Sequence, residues 1–168
     1  MNRVTPLART PAITVERFEH ERAVAHRDPE LERAASHAVS FVETGSYRLR
    51  VAGVWRDVTP ERIFVATPGL EFACRHDDEH PQDRCLSVRY AESAIESLRS
   101  AGAAPASTPV VSVTNRSAYL KHELASAVGD GARTEAIAGA LYWSLTSKAT
   151  ARRPFRPRQL SWYAARVG

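Results

Sequence analysis

Between positions 74 and 85 the chain carries both of its cysteines and two of its six histidines: Cys74, His76, His80 and Cys85. Thiolates and imidazoles are the donors that tetrahedral zinc sites use. Cys74 and His76 are separated by one residue, so on a strand their side chains share a face. The segments on each side read as strands of one hairpin, and its register decides the chemistry. If residues 76 and 85 pair, Cys85 joins that face and the donors converge. If 75 pairs with 85, Cys85 turns away. A register pairing 74 with 85 suits a reversible disulfide, given Cα atoms within reach. The spacing C-x-H-x3-H-x4-C is not the usual finger spacing. A plain packing reading competes: cysteine is often a small buried hydrophobe, and Asp77, Asp78, Glu79 and Asp83 fit an acidic loop tip. Metal binding, thiol redox chemistry and simple packing therefore stay open.

Other candidates have weaker spacing. Phe41, Tyr47 and Trp55 could line an apolar effector pocket, against the plainer reading that they are core. Tyr119, Tyr142 and Trp143 could form a contact surface. His20, His26, His37 and His122 show no compelling spacing. The sequence has no glycine-rich phosphate loop, H-E-x-x-H or G-x-S-x-G.

The 168 residues suit one compact domain with a small appendage. At 43% hydrophobic and 25% charged, the chain can bury an ordinary core. The formal charge of +4 comes from arginine, with Arg152, Arg153, Arg156 and Arg158 clustered near the end. Such an excess is compatible with nucleic acid nearby without demonstrating binding. Two cysteines give no disulfide framework. Residues 1–12 lack the apolar centre of a signal peptide, and no run approaches the roughly 20 apolar residues of a membrane helix. These features point to a cytoplasmic protein, without membrane contact, whose thiols are normally reduced.

The elements that must position these residues follow from pattern. Residues 1–12 read as a loose arm. Strands are expected over 13–18, 37–45, 46–51, 54–58, 62–66, 70–75 and 84–90, with a further candidate at 22–26. Residues 29–36, PELERAAS, have a helical alternative because proline suits a first turn. Gly45 and Gly53 mark tight turns. The rhythm of short strands implies an antiparallel sandwich or small barrel. After Tyr90 the period becomes helical over 91–101, 117–128 and 134–148. The last two place Leu120, Leu124, Ile137, Leu141 and Leu145 on apolar stripes, and their short link implies an antiparallel pair. Residues 151–158 read as a stiff basic linker, and 159–167 as the start of another helix.

Several runs resemble the N-terminal sensor domain of AraC-type transcription regulators: His37 to Arg48, Phe64 to Gly69, Phe72-x-Cys74-Arg75-His76 and Asp83-Arg84-Cys85-Leu86-Ser87. The resemblance covers about residues 13 to 165 in element order and is specific mainly between His37 and Tyr90. It implies an α+β, mainly β fold: a cupin-like barrel over 13–90, then a helical dimerisation segment over 91–150. It further implies a homodimer through Leu120, Leu124, Ile137, Leu141 and Leu145, and DNA contact through a C-terminal domain whose lead-in is 151–168. The metal motif of enzymatic cupins is not matched, which favours a sensor over an enzyme. The expected function is effector sensing, with the effector a metal such as zinc, an oxidant of the two thiols, or a small organic molecule. The rivals are a cupin metalloenzyme and an interaction module with structural zinc.

Overall fold

A computed structural model describes residues 3–20, 30–76 and 83–146. The expectations for residues 22–26, His80 and 151–168 lie outside the described residues.

The strands are β1 (Arg3–Arg9), β2 (Ile13–Glu19), β3 (Glu32–Arg33), β4 (His37–Thr44), β5 (Tyr47–Val51), β6 (Val54–Val58), β7 (Arg62–Ala66), β8 (Glu71–His76), β9 (Arg84–Tyr90) and β10 (Val110–Ser112). The helices are α1 (Glu92–Ser100), α2 (Asn115–Ala127) and α3 (Gly131–Thr146). Two antiparallel sheets result. The larger has six strands ordered β1-β2-β9-β4-β7-β10, and the smaller four ordered β3-β8-β5-β6. The two sheets form a sandwich and do not join into a closed barrel.

Three layers follow from side-chain alternation. One face of the large sheet turns to the small sheet. There Val42, Phe64, Ala66 and Cys85 pack with Tyr47, Leu49 and Val58. The opposite face turns to the helices, where Val39, Phe41, Ile63, Leu86 and Val88 pack with Ile95, Leu124, Leu141 and Tyr142. The central strands β4 and β9 are thus covered on both faces, which is why HAVSFV and CLSV read as near-continuous apolar runs. Each fully buried Leu, Ile or Phe contributes about 1.5–3 kcal/mol.

Three local expectations are corrected. The described part of the expected loose arm is ordered into the sheet: Arg3–Arg9 is a strand paired to β2. The described residues 30–36 of PELERAAS do not form a helix; Glu32 and Arg33 pair with Phe72 and Glu71 at a sheet edge. Gly45 does not close a hairpin, because β4 and β5 lie in different sheets. Gly45 has φ 76°, and the chain crosses between the layers there. The turn expected at Gly53 is present: Ala52 and Gly53 both have positive φ (49° and 78°), and Val51 pairs with Val54.

The helix pair begins on caps that apolar periodicity does not reveal. The Thr114 hydroxyl accepts from Ser117 N–H at 3.1 Å, and Ser117 Oγ accepts from Thr114 N–H at 2.8 Å. This reciprocal box starts α2 at Asn115. Asp130 Oδ1 accepts from Arg133 N–H at 3.1 Å and starts α3 at Gly131.

Candidate functional site

The expected hairpin between residues 74 and 85 is not a paired ladder. β8 pairs with β5 and β3, while β9 pairs with β2 and β4. None of the three registers considered for Cys85 therefore occurs. The two strands face each other across the sandwich instead. Tyr47 pairs with His76 and Leu49 with Cys74, so Cys74 and His76 share the inner face of the small sheet, as one-residue spacing requires. Cys85 points toward them from the large sheet, beside Phe18 and Val42.

The pairing of β2 with β9 brings in a residue that spacing had not singled out. Phe18 pairs with Cys85 and Glu19 with Arg84, which sets His20 against Asp83. The His20 N–H donates to the Asp83 carbonyl at 3.0 Å. The His20 and His76 rings stack with centroids 3.5 Å apart and planes 18° from parallel. The carboxylate of Asp83 can only accept, so His76 Nδ1–H donates to Asp83 Oδ1 at 2.7 Å. The Cys85 thiol donates to Asp83 Oδ2 at 3.5 Å. His20 and Asp83 are 8% and 7% exposed, so these polar groups are taken out of water together. One potential ligand atom from each of His20, His76 and Asp83 lies within 4.8 Å of the others.

The thiols have a different character. Burial, followed by the charges of Glu32 and Asp83, pushes Cys74 up to about 12. Burial, then the charge and hydrogen bond of Asp83, raises Cys85 as well. Both therefore stay protonated near neutrality, and protonated thiols are poor nucleophiles. Both are free thiols. Burial likewise raises Tyr47, whose ring centroid lies 6.0 Å from that of His76.

Phe41, Tyr47 and Trp55 do not share a pocket. Phe41 faces the helices and Tyr47 the space between the sheets. Trp55 pairs with Arg50 on the outer face of the small sheet. The guanidinium carbons of Arg48 and Arg50 sit 5.7 and 5.3 Å from its ring centroid. Only Tyr47 belongs to the buried cluster. The apolar stripes of the helix pair also face inward. Leu124 and Leu141 are fully buried within the chain, and Leu120, Ile137 and Leu145 pack beside them on the large sheet. The stripe through which the family resemblance implies a dimer thus packs on the chain's own sheet. Tyr142 is buried as well, whereas Tyr119 is 61% exposed.

A second buried polar cluster ties the sheet to the helices. The Arg99 guanidinium donates to His37 Nε2 at 3.2 Å, and His37 Nδ1–H lies 3.4 Å from Tyr142 Oη. Burial, reinforced by Arg99 and opposed by Glu92, lowers the pKa of His37.

No protein-family model matches the chain, and no characterised protein sequence matches it significantly. Solved structures do. Apo ToxT K231A from Vibrio cholerae matches with a TM-score of 0.60 at 9% identity, over 94% of this chain and 72% of that one. A putative mannose-6-phosphate isomerase from Ralstonia eutropha matches at 16% identity and TM-score 0.46, over 54% of this chain and 84% of that one. A cupin superfamily protein from Desulfitobacterium hafniense matches at 14% and 0.42, over 54% and 77%. At such identities the likeness is one of fold. The chain is a mainly β, cupin-like sandwich followed by helices. Within that class its fold is shared with ToxT, an AraC-family regulator. Among the described residues, no helix is long and apolar enough to cross a membrane.

Proposed function

We propose that this chain is the effector-sensing domain of a transcription regulator of the AraC type, with the effector bound between the sheets beside His20, His76 and Asp83. The observation that carries the reading is the position of β9. Cys85 on that strand faces the buried polar cluster, and Leu86 faces the core beneath α2 and α3. A ligand that shifts the strand at one face changes the packing at the other. An effector would bind one arrangement better and shift its population. Likeness of fold to ToxT across 94% of the chain supports the same pairing of sandwich and helices.

A homodimer remains part of the proposal, but through surface that the chain's own packing leaves exposed, such as that around Tyr119. DNA binding would belong to a separate C-terminal domain, reached through residues 151–168. The redox version of the reading is disfavoured, because both thiols are held protonated. The rival is a cupin metalloenzyme, which would need an open metal position and a substrate pocket beside it.

Binding and turnover separate the two. The full chain is screened by thermal shift against divalent ions, sugars and small organic acids, and each hit is recovered and analysed by mass spectrometry. A sensor returns its ligand unchanged, and the shift is lost in Ser87→Leu, which fills the inner face beside Ser40. Catalytic consumption of a ligand would overturn the sensing reading in favour of the enzyme.

A further inference from the structure

The buried polar cluster also has a donor set that indicates what it holds. We propose that His20, His76 and Asp83 bind one first-row divalent transition-metal ion between the two sheets. This inference rests on the sensing reading above for its role, but not for its chemistry.

The donors come from three places in the chain. His20 follows β2, His76 ends β8 in the opposite sheet, and Asp83 precedes β9. Their candidate ligand atoms lie within 4.8 Å of one another. Two imidazoles and one carboxylate form a mixed nitrogen and oxygen set, suited to first-row transition ions and not to calcium or magnesium. Among the described residues the set supplies three ligands.

The surroundings hold the set in place. The backbone of His20 is tied to that of Asp83 at 3.0 Å. The two imidazole rings stack with centroids 3.5 Å apart, so one of them must turn for both to direct a nitrogen at the same ion. The Cys85 thiol engages Asp83 Oδ2 at 3.5 Å, which orients the carboxylate from behind. Val42, Leu49 and Phe18 belong to the same apolar cluster as Cys85 and Cys74. Such a dry shell strengthens the electrostatic attraction between a carboxylate and an ion.

His76 Nδ1 and Asp83 Oδ1 are 2.7 Å apart, so an ion would enter in place of the proton between them. The assignment differs from the set Cys74, His76, His80 and Cys85 suggested by spacing. It keeps His76 and leaves both sulfurs outside the coordination sphere.

The test uses the full chain, treated with EDTA, dialysed, and titrated with Ni²⁺ by calorimetry and with Co²⁺ by visible absorption. The expected result is one ion per chain. His20→Ala, His76→Gln and Asp83→Asn each weaken Ni²⁺ binding by at least about tenfold, while His122→Ala and Cys74→Ser change it by less than about threefold. The Co²⁺ spectrum of the unaltered chain should show weak visible bands without an intense near-ultraviolet thiolate band. That readout does not depend on any variant folding. Absence of saturable binding, or equal binding in all three ligand variants, would overturn the site. A thiolate band would overturn the donor set in favour of the cysteines. Failure of the sensing reading is distinguishable: an ion that binds as stated but leaves α2 and α3 unchanged keeps the site and removes its role.

Discussion

Cys85 and Leu86 are neighbours on β9 and face opposite layers of the molecule. Cys85 lies among the residues between the sheets, and Leu86 among those beneath the helix pair. A single strand thickness therefore separates the buried polar cluster from the packing of Leu124 and Leu141. The account depends on this proximity, because a strand packed on both faces cannot shift toward one layer without disturbing the other.

The leucines of the helix pair should behave as core residues. Leu124 and Leu141 are fully buried within one chain. Leu124→Ala and Leu141→Ala should each cost about 2–5 kcal/mol of folding stability. Urea melts at two widely separated protein concentrations check this, and the losses should be the same at both. Loss of self-association with unchanged stability would restore these side chains to a dimer interface.

Acid should loosen the junction between sheet and helices. His37 sits against Glu92 and Arg99 of α1, Tyr142 of α3 and its ladder partner Tyr90 of β9. Its Nε2 must be unprotonated to accept from Arg99. Its folded pKa is lowered from the ordinary 6.5, so the unfolded chain takes up the proton first. The contribution of His37 to stability is therefore level above pH 6.5, and falls as pH drops below that value until the folded pKa is passed. Urea midpoints followed across this range should show that decline, and His37→Gln should flatten it. An unchanged slope in the variant would assign the acid sensitivity to other groups.

The sequence pattern located most strands and failed mainly on their partners. The strands 54–58, 62–66 and 84–90 match the structure residue for residue, because period-two alternation and turn residues are local signals. Which strand pairs with which is not local. The segments ending at His76 and beginning at Arg84 look like two arms of a hairpin, yet they belong to different sheets. The one-residue spacing of Cys74 and His76 correctly implied a shared face. His20 was invisible as a site residue because only the β2–β9 register sets it opposite Asp83. The apolar stripes of α2 and α3 were legible too, but a stripe does not say whether a sheet or a second chain covers it.

One turn is open to improvement. Ala52 has φ 49°, a left-handed conformation that costs an L-residue with a Cβ roughly 1–2 kcal/mol. Asparagine tolerates it better and precedes glycine in the favoured two-residue hairpin turn. Ala52→Asn should raise stability by about 0.5–1 kcal/mol. Thermal melting checks this, and no gain would mean that the strain is relieved elsewhere.

The most direct measurement of the central claim is hydrogen exchange of the full chain with and without one equivalent of Ni²⁺. The account predicts slower exchange in β8 and β9 together with an altered rate in α2 and α3. It also predicts that Leu86→Ala reduces the helix response while leaving Ni²⁺ affinity largely intact. Protection confined to the two strands, with α2 and α3 exchanging as before, would contradict the claim that this site communicates with the helices.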